Sequence, residues 1–124
     1  MADIKASKLS ERCNATFMLA LNDTLNVLSG KWKLHIMGAL LDGKKRFTEI
    51  EHSIPKINPR MLSKELKELE VNGIVSRTVH NTIPVAVEYE LTKSGYSIGD
   101  VLEVMVEWGL QHRKLIMGKK TKAA

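Results

Sequence analysis

Between Asn58 and Leu91 the spacing of apolar residues changes period once, and that change limits the chain to a small set of folds. Leu62, Leu66 and Leu69 recur at intervals of four and three, which lines one side of an α-helix. Asn58-Pro59 supplies its start, since an Asn side chain accepts a hydrogen bond from a first-turn amide and Pro is preorganised at the first helical position. Asn72-Gly73 supplies its stop. Beyond Gly73 the period becomes two. Ile74-Val75 leads to Val79 and, after Thr82-Ile83-Pro84, the positions Val85, Val87, Tyr89 and Leu91 alternate with Ala86, Glu88 and Glu90. The predicted centre of the chain is a capped helix running directly into a two-stranded hairpin.

Helices flank this centre. Ser10 to Leu21 carries Cys13, Phe17, Ala20 and Leu21 at helical spacing, and Asp23 is placed to cap a further turn or two holding Leu25, Val27 and Leu28. Gly30 interrupts, and Lys31 to Leu41 reads as a largely buried helix that Asp42-Gly43 ends. Thr48, with Glu51 three residues on, predicts a capping box for a short helix through Ile54, closed by Pro55. Thr92 or Ser94 is placed to cap a long final helix, in which apolar residues from Ile98 to Leu110 cover more than one face and so need more than one neighbour.

With 124 residues, 44% hydrophobic and 27% charged, the chain is expected to be a single domain over residues 9–116 with flexible termini at 1–8 and 117–124. The tail cluster Lys119, Lys120 and Lys122 reads as frayed and solvated. A lone Cys13 makes no intramolecular bridge, and no leader or membrane-length apolar run is visible, so a cytoplasmic protein with no membrane partner is expected. The net charge of +5 is concentrated: Gly43 to Lys67 holds seven basic residues (Lys44, Lys45, Arg46, Lys56, Arg60, Lys64, Lys67) against three acidic ones. Such a segment favours a polyanionic partner.

The order of helix, short helix, turn, helix and hairpin is that of a winged helix-turn-helix: mainly α with a small β-hairpin. Its second helix, 59–71, is the one expected in the major groove of double-stranded DNA. Arg60 and Lys64 are the candidates for base contact, because both donate to guanine O6 and N7; Ser63 reaches a base or a phosphate, and Lys67 a phosphate. The loop 80–85 is the expected wing, with Arg77, His80 and Asn81 near the minor groove or backbone. A cationic helix face is often merely solvated, but a capped helix between a short helix and a hairpin favours the functional reading.

Four segments carry a family resemblance: Thr24-Leu25-Asn26-Val27-Leu28-Ser29-Gly30-Lys31-Trp32; Arg46-Phe47-Thr48-Glu49-Ile50; Met61-Leu62 through Leu66-Lys67-Glu68-Leu69-Glu70 and Gly73; and Val87-Glu88-Tyr89-Glu90-Leu91-Thr92-Lys93-Ser94-Gly95. Together, in this order over roughly Cys13 to His112, they resemble the HxlR family of MarR-like bacterial transcriptional regulators. The resemblance implies a homodimer on a pseudo-palindromic operator, joined through N- and C-terminal helices, with Leu102, Met105, Val106 and Trp108 as candidate interface residues. Arg46, Thr48 and Asn58 join the candidate DNA contacts. Cys13 matches a cysteine that some members use as a redox-sensing thiol, here beside the cationic Arg12; the plainer reading is a small buried apolar residue.

Other constellations are bland. His35, His52, His80 and His112 lack ligand spacing, so no metal or other cofactor is expected. Glu49 with Glu51, and Glu65 with Glu68, read as capping and solvent-facing pairs, and no nucleophile and base accompany them, so no enzyme is expected. Met37, Met105, Trp32 and Trp108 are candidates to line a cavity at a dimer interface for a small-molecule effector, alongside an oxidant at Cys13. The rival function is a winged-helix adaptor that docks an acidic protein without binding specific DNA.

Overall fold

The structure, a computed structural model, describes residues 15–123, with side chains to residue 118. Cys13 and the tail lysines' side chains lie outside this range. The chain divides into two compact units between Lys31 and Trp32. In the first, helix α1 (Ala15–Leu28) runs unbroken through Asn22-Asp23-Thr24. The expected cap at Asp23 does not form. Instead the Thr24 hydroxyl donates to the Ala20 carbonyl at 2.9 Å, one turn back, so the polar triplet is carried inside the helix. No residue of α1 is buried.

The second unit begins with α2 (Lys33–Ala39), whose Ile36 and Met37 are completely buried. Strand β1 (Lys45–Arg46) follows and leads at once into α3 (Phe47–Ser53). The capping register of α3 lies two residues earlier than Thr48 and Glu51 suggest: Arg46 is the N-cap, and its backbone N–H donates to Glu49 Oε1 at 2.9 Å. Helix α4 (Pro59–Val71) starts as the sequence indicates, with Asn58 Oδ1 accepting from the Met61 amide at 2.8 Å. It ends at Gly73, whose φ of +75° suits a residue without a Cβ and lets the Ile74 amide bond back to the Leu69 carbonyl at 2.9 Å.

Strands β2 (Val75–His80) and β3 (Ala86–Leu91) form the antiparallel hairpin in the register Val75↔Leu91 to His80↔Ala86. The sheet has a third strand that periodicity did not show. Strand β1 pairs with β3 through Lys45↔Tyr89 and Arg46↔Glu88, giving the order β1-β3-β2. Two consecutive cationic residues carry no alternation for a sequence reading to find.

The last helical region is also in two pieces. Thr92, not Ser94, caps α5 (Lys93–Ser97), accepting from the Gly95 amide at 3.1 Å, and Ile98 closes it before α6 (Gly99–Ala123) begins. The core gathers Trp32, Ile36, Met37 and Leu40, the α3–α4 residues Ile50, Ile54, Leu62, Leu66 and Leu69, and Val75 and Leu91 of the sheet. Fully burying each such aliphatic side chain is worth roughly 1.5–3 kcal/mol, so the three leucines of α4 fix which side of that helix faces out.

Candidate nucleic-acid interface

With Leu62, Leu66 and Leu69 at 0–1% exposure, α4 presents Arg60, Ser63, Lys64 and Lys67 outward, all exposed. Arg60, Lys64 and Lys67 hold no hydrogen bond or salt bridge among the described residues. Three cations on one face of a rigidly seated helix, none committed to an internal partner, are available to an anionic ligand. Asn58 is also exposed, but its carbonyl oxygen is committed to the helix cap. Thr48 is exposed in the first turn of α3.

The sheet divides the remaining candidates. Residues directly opposite each other share a face, so Arg46 lies with Glu88 and Thr78, whereas Arg77 lies with Lys45 and Tyr89. The second face is also that of buried Val75 and Leu91. Arg46 and Arg77 thus stand on opposite sides of the wing. His80 is held by Glu88, Nε2 to Oε1 at 2.5 Å. Asn81 is exposed in the loop, where Thr82 Oγ1 donates to the Pro84 carbonyl at 2.8 Å. Ile83, which the sequence reading passed over, is fully exposed at the wing tip.

Two lysines, in three ion pairs, edit the charge inventory. Lys45 donates to the Ala39 carbonyl at 2.6 Å and pairs with Asp42, whose carboxyl it holds below the usual value. It is thereby withdrawn from the cationic surface. Lys33, only 5% exposed, donates to Glu65 at 2.9 Å and to Glu68, both on α4. Glu65 and Glu68 are therefore not a solvent-facing pair. Burial works to lower the Lys33 pKa, but the hydrogen bonds it donates to Glu68 and Glu65, with their negative charges, outweigh it and hold the ammonium above its ordinary value. Long-range contact with a residue on another helix leaves no signature in local spacing.

An open groove of about 760 Å³ runs between α2 and α6, lined by Leu34, His35, Gly38, Leu41, Gly99, Leu102, Glu103, Met105 and Val106. Of the four residues expected around a cavity, only Met105 lines it. Met37 and Trp32 are buried in the core, and Trp108, 64% exposed, stacks on His112 with ring centroids 4.8 Å apart. Among the four candidate interface residues, Leu102 is 8% exposed and belongs to the core, whereas Met105, Val106 and Trp108 stand exposed on α6.

The winged-helix geometry has a counterpart in sequence: residues 27–117 match the profile of the HxlR-like helix-turn-helix. The chain belongs to the HxlR family. It is 38% identical over 102 residues to the HTH-type transcriptional regulator YtcD of Bacillus subtilis strain 168, covering 82% of this chain and 81% of that one. It is 41% identical over 91 residues to the HTH-type transcriptional regulator YodB of the same organism, covering 73% and 81%. In structure it is similar to the redox regulator HypR in its reduced form, at a TM-score of 0.74 and 40% identity over 80% of this chain and 98% of that one. This HxlR-family chain is a transcriptional regulator with a helix-turn-helix fold, not an enzyme. No helix of its described residues is long and apolar enough to cross a membrane.

Proposed function

We propose that this HxlR-family regulator is a cytoplasmic, sequence-specific DNA-binding protein that acts as a homodimer on a pseudo-palindromic operator. Helix α4 enters the major groove and the 80–85 loop lies near the minor groove or backbone. The observation that carries this reading is the outward row of Arg60, Lys64 and Lys67, uncommitted and backed by three buried leucines. Arg60, near the helix N-terminus, and Lys64 are the base readers, Ser63 contacts a base or phosphate, and Lys67 a phosphate. Asn58 fixes where the helix begins, while Arg46, Thr48, Arg77, His80 and Asn81 supply flanking contacts from the first turn of α3 and both faces of the wing.

Dimerisation is supported by what the single chain leaves uncovered: Met18, Leu19, Leu21 and Leu25 on α1, and Met105, Val106 and Trp108 on α6. Soluble monomers rarely expose apolar patches of more than a few hundred Å². Selection of bound genomic fragments followed by footprinting tests the proposal. It requires a two-fold symmetric site with half-sites about one helical turn apart, or a multiple of it; binding that is indifferent to sequence, or no binding at low salt, favours the adaptor instead.

A second element of the proposal is redox control through Cys13. It is supported by relatives: HypR has been solved in reduced and oxidised forms, and YodB in reduced and diamide-treated forms. One route open to a single thiol per chain is a disulfide between two copies, two thiols giving up two protons and two electrons to the oxidant; another is a mixed disulfide with a small thiol, with the same balance. If Cys13→Ser leaves oxidant-dependent DNA binding unchanged, Cys13 is not the sensor.

A further inference from the structure

Lys33 is the buried charged residue of the described core, and it spends that charge on the helix proposed to read DNA. From the first residue of α2 its ammonium reaches across to Glu65 Oε2 at 2.9 Å and to Glu68 Oε2, whose side chains are 12% and 43% exposed. On α4, Glu68 follows Lys64 by four residues, the separation at which side chains meet on a helix surface. Glu68 therefore has two cations within reach, Lys33 on the flank toward the core and Lys64 on the exposed face. The carboxylate goes to Lys33. Its pKa is held below the ordinary value first by the hydrogen bond from Lys33, with the charge of Lys64 the smallest contribution. Lys64 is left exposed, with no hydrogen bond or salt bridge among the described residues.

We propose that Lys33 is a positioning residue for DNA recognition: by holding the Glu65 and Glu68 carboxylates against the core flank of α4, it keeps Lys64 unpaired and available to DNA. Without Lys33, Glu68 turns to Lys64 and neutralises it. The inference rests on α4 being the DNA-reading helix, and a variant series separates the two claims.

The full chain is titrated against its footprinted fragment and a random duplex at several salt concentrations. Lys33→Met is expected to weaken binding to the footprinted fragment roughly five- to tenfold and to the random duplex less, as the loss of a base-reading cation requires, and to lower the salt slope on the fragment because a neutralised Lys64 releases fewer counterions. Adding Glu68→Gln to Lys33→Met restores affinity and slope, because no carboxylate remains to claim Lys64. In a Lys64→Ala background, Lys33→Met produces no further loss. The proposal is overturned if Glu68→Gln fails to rescue, or if the Lys33→Met and Lys64→Ala losses multiply, since independent effects combine in that way. Glu68→Gln alone, with Lys33 present, tests the same point in a chain that keeps its buried lysine paired to Glu65. Affinity within about twofold of wild type is expected, and tightening by about fivefold or more shows that Glu68 was already drawing on Lys64. Failure of the unmodified chain to bind any duplex at low salt overturns the DNA-reading role itself, and no comparison among variants mimics that result.

Discussion

At Gly95 a single methyl group decides whether the hairpin and the last helices fit together. A Cβ there lies 2.4 Å from the Ile74 carbonyl oxygen and 3.0 Å from Leu91 Cδ2. The carbonyl has little freedom to retreat, because it accepts from the Thr92 amide at 2.9 Å and from the Thr92 hydroxyl at 3.2 Å. Gly95→Ala is expected to cost about 1–3 kcal/mol in urea unfolding, the usual penalty for overfilling a packed site; an unchanged midpoint contradicts this packing. Lys33 gives a pH-dependent counterpart. The Glu68 pKa is depressed below 4.5 in the folded chain, so its contribution is fully present above that value and lost as pH falls through the depressed one. The Lys33 pKa is raised above 10.5, so its share is complete below that value and lost only as pH rises further. The stability gap between wild type and Lys33→Met is therefore expected to be constant from neutral pH down to 4.5 and to shrink in stronger acid, and a gap that persists there refutes the role given to the pair.

Among the elements, α4 was the most legible in the sequence because every signal for it is local: a capping Asn, Pro at the first position, leucines four and three apart, and a closing Gly. The hairpin was nearly as clear, since alternation reports which residues share a face. What escaped was set by partners distant in sequence. Strand β1 exists because β3 offers it an edge, and Thr48 is no cap because Arg46, the last residue of that strand, is the N-cap of α3. Likewise the sequence placed Arg46 and Arg77 in one list of contacts, but strand register puts them on opposite faces. Two predictions belong to α4. Asn58→Ala removes the acceptor for the Met61 amide and is expected to cost about 1 kcal/mol of stability, read by thermal unfolding; no loss means that water satisfies the amide equally well. Arg60→Ala is expected to cost 1–3 kcal/mol on the selected operator and little on random duplex, whereas Lys67→Ala weakens both alike and lowers the salt slope by about one. Equal losses on both duplexes from Arg60→Ala contradict base reading.

For the whole molecule, the largest unbalanced feature is apolar surface. Within Trp32–Ala124, α6 commits Leu102 to the core yet exposes Val104, Met105, Val106, Trp108 and Leu110; α1, in the other unit, buries none of its residues. Leu102 and Trp108 should therefore fail in different ways. Leu102→Ala opens a void inside the chain and is expected to lower stability by about 2–5 kcal/mol. Val106→Asp combined with Trp108→Asp removes mostly exposed apolar surface and the Trp108–His112 stack but no core side chain, so it should leave the fold intact and shift sedimentation equilibrium from dimer to monomer. DNA affinity then reports the same change independently. A dimer's second half-site is engaged at the effective concentration set by the first, which multiplies affinity by roughly 10²–10⁴ without any new contact to DNA. The double variant should lose an amount of that order on the symmetric operator but little on an isolated half-site, where only one recognition helix was ever engaged. A variant that still sediments as a dimer and keeps full operator affinity places the interface away from this face of α6.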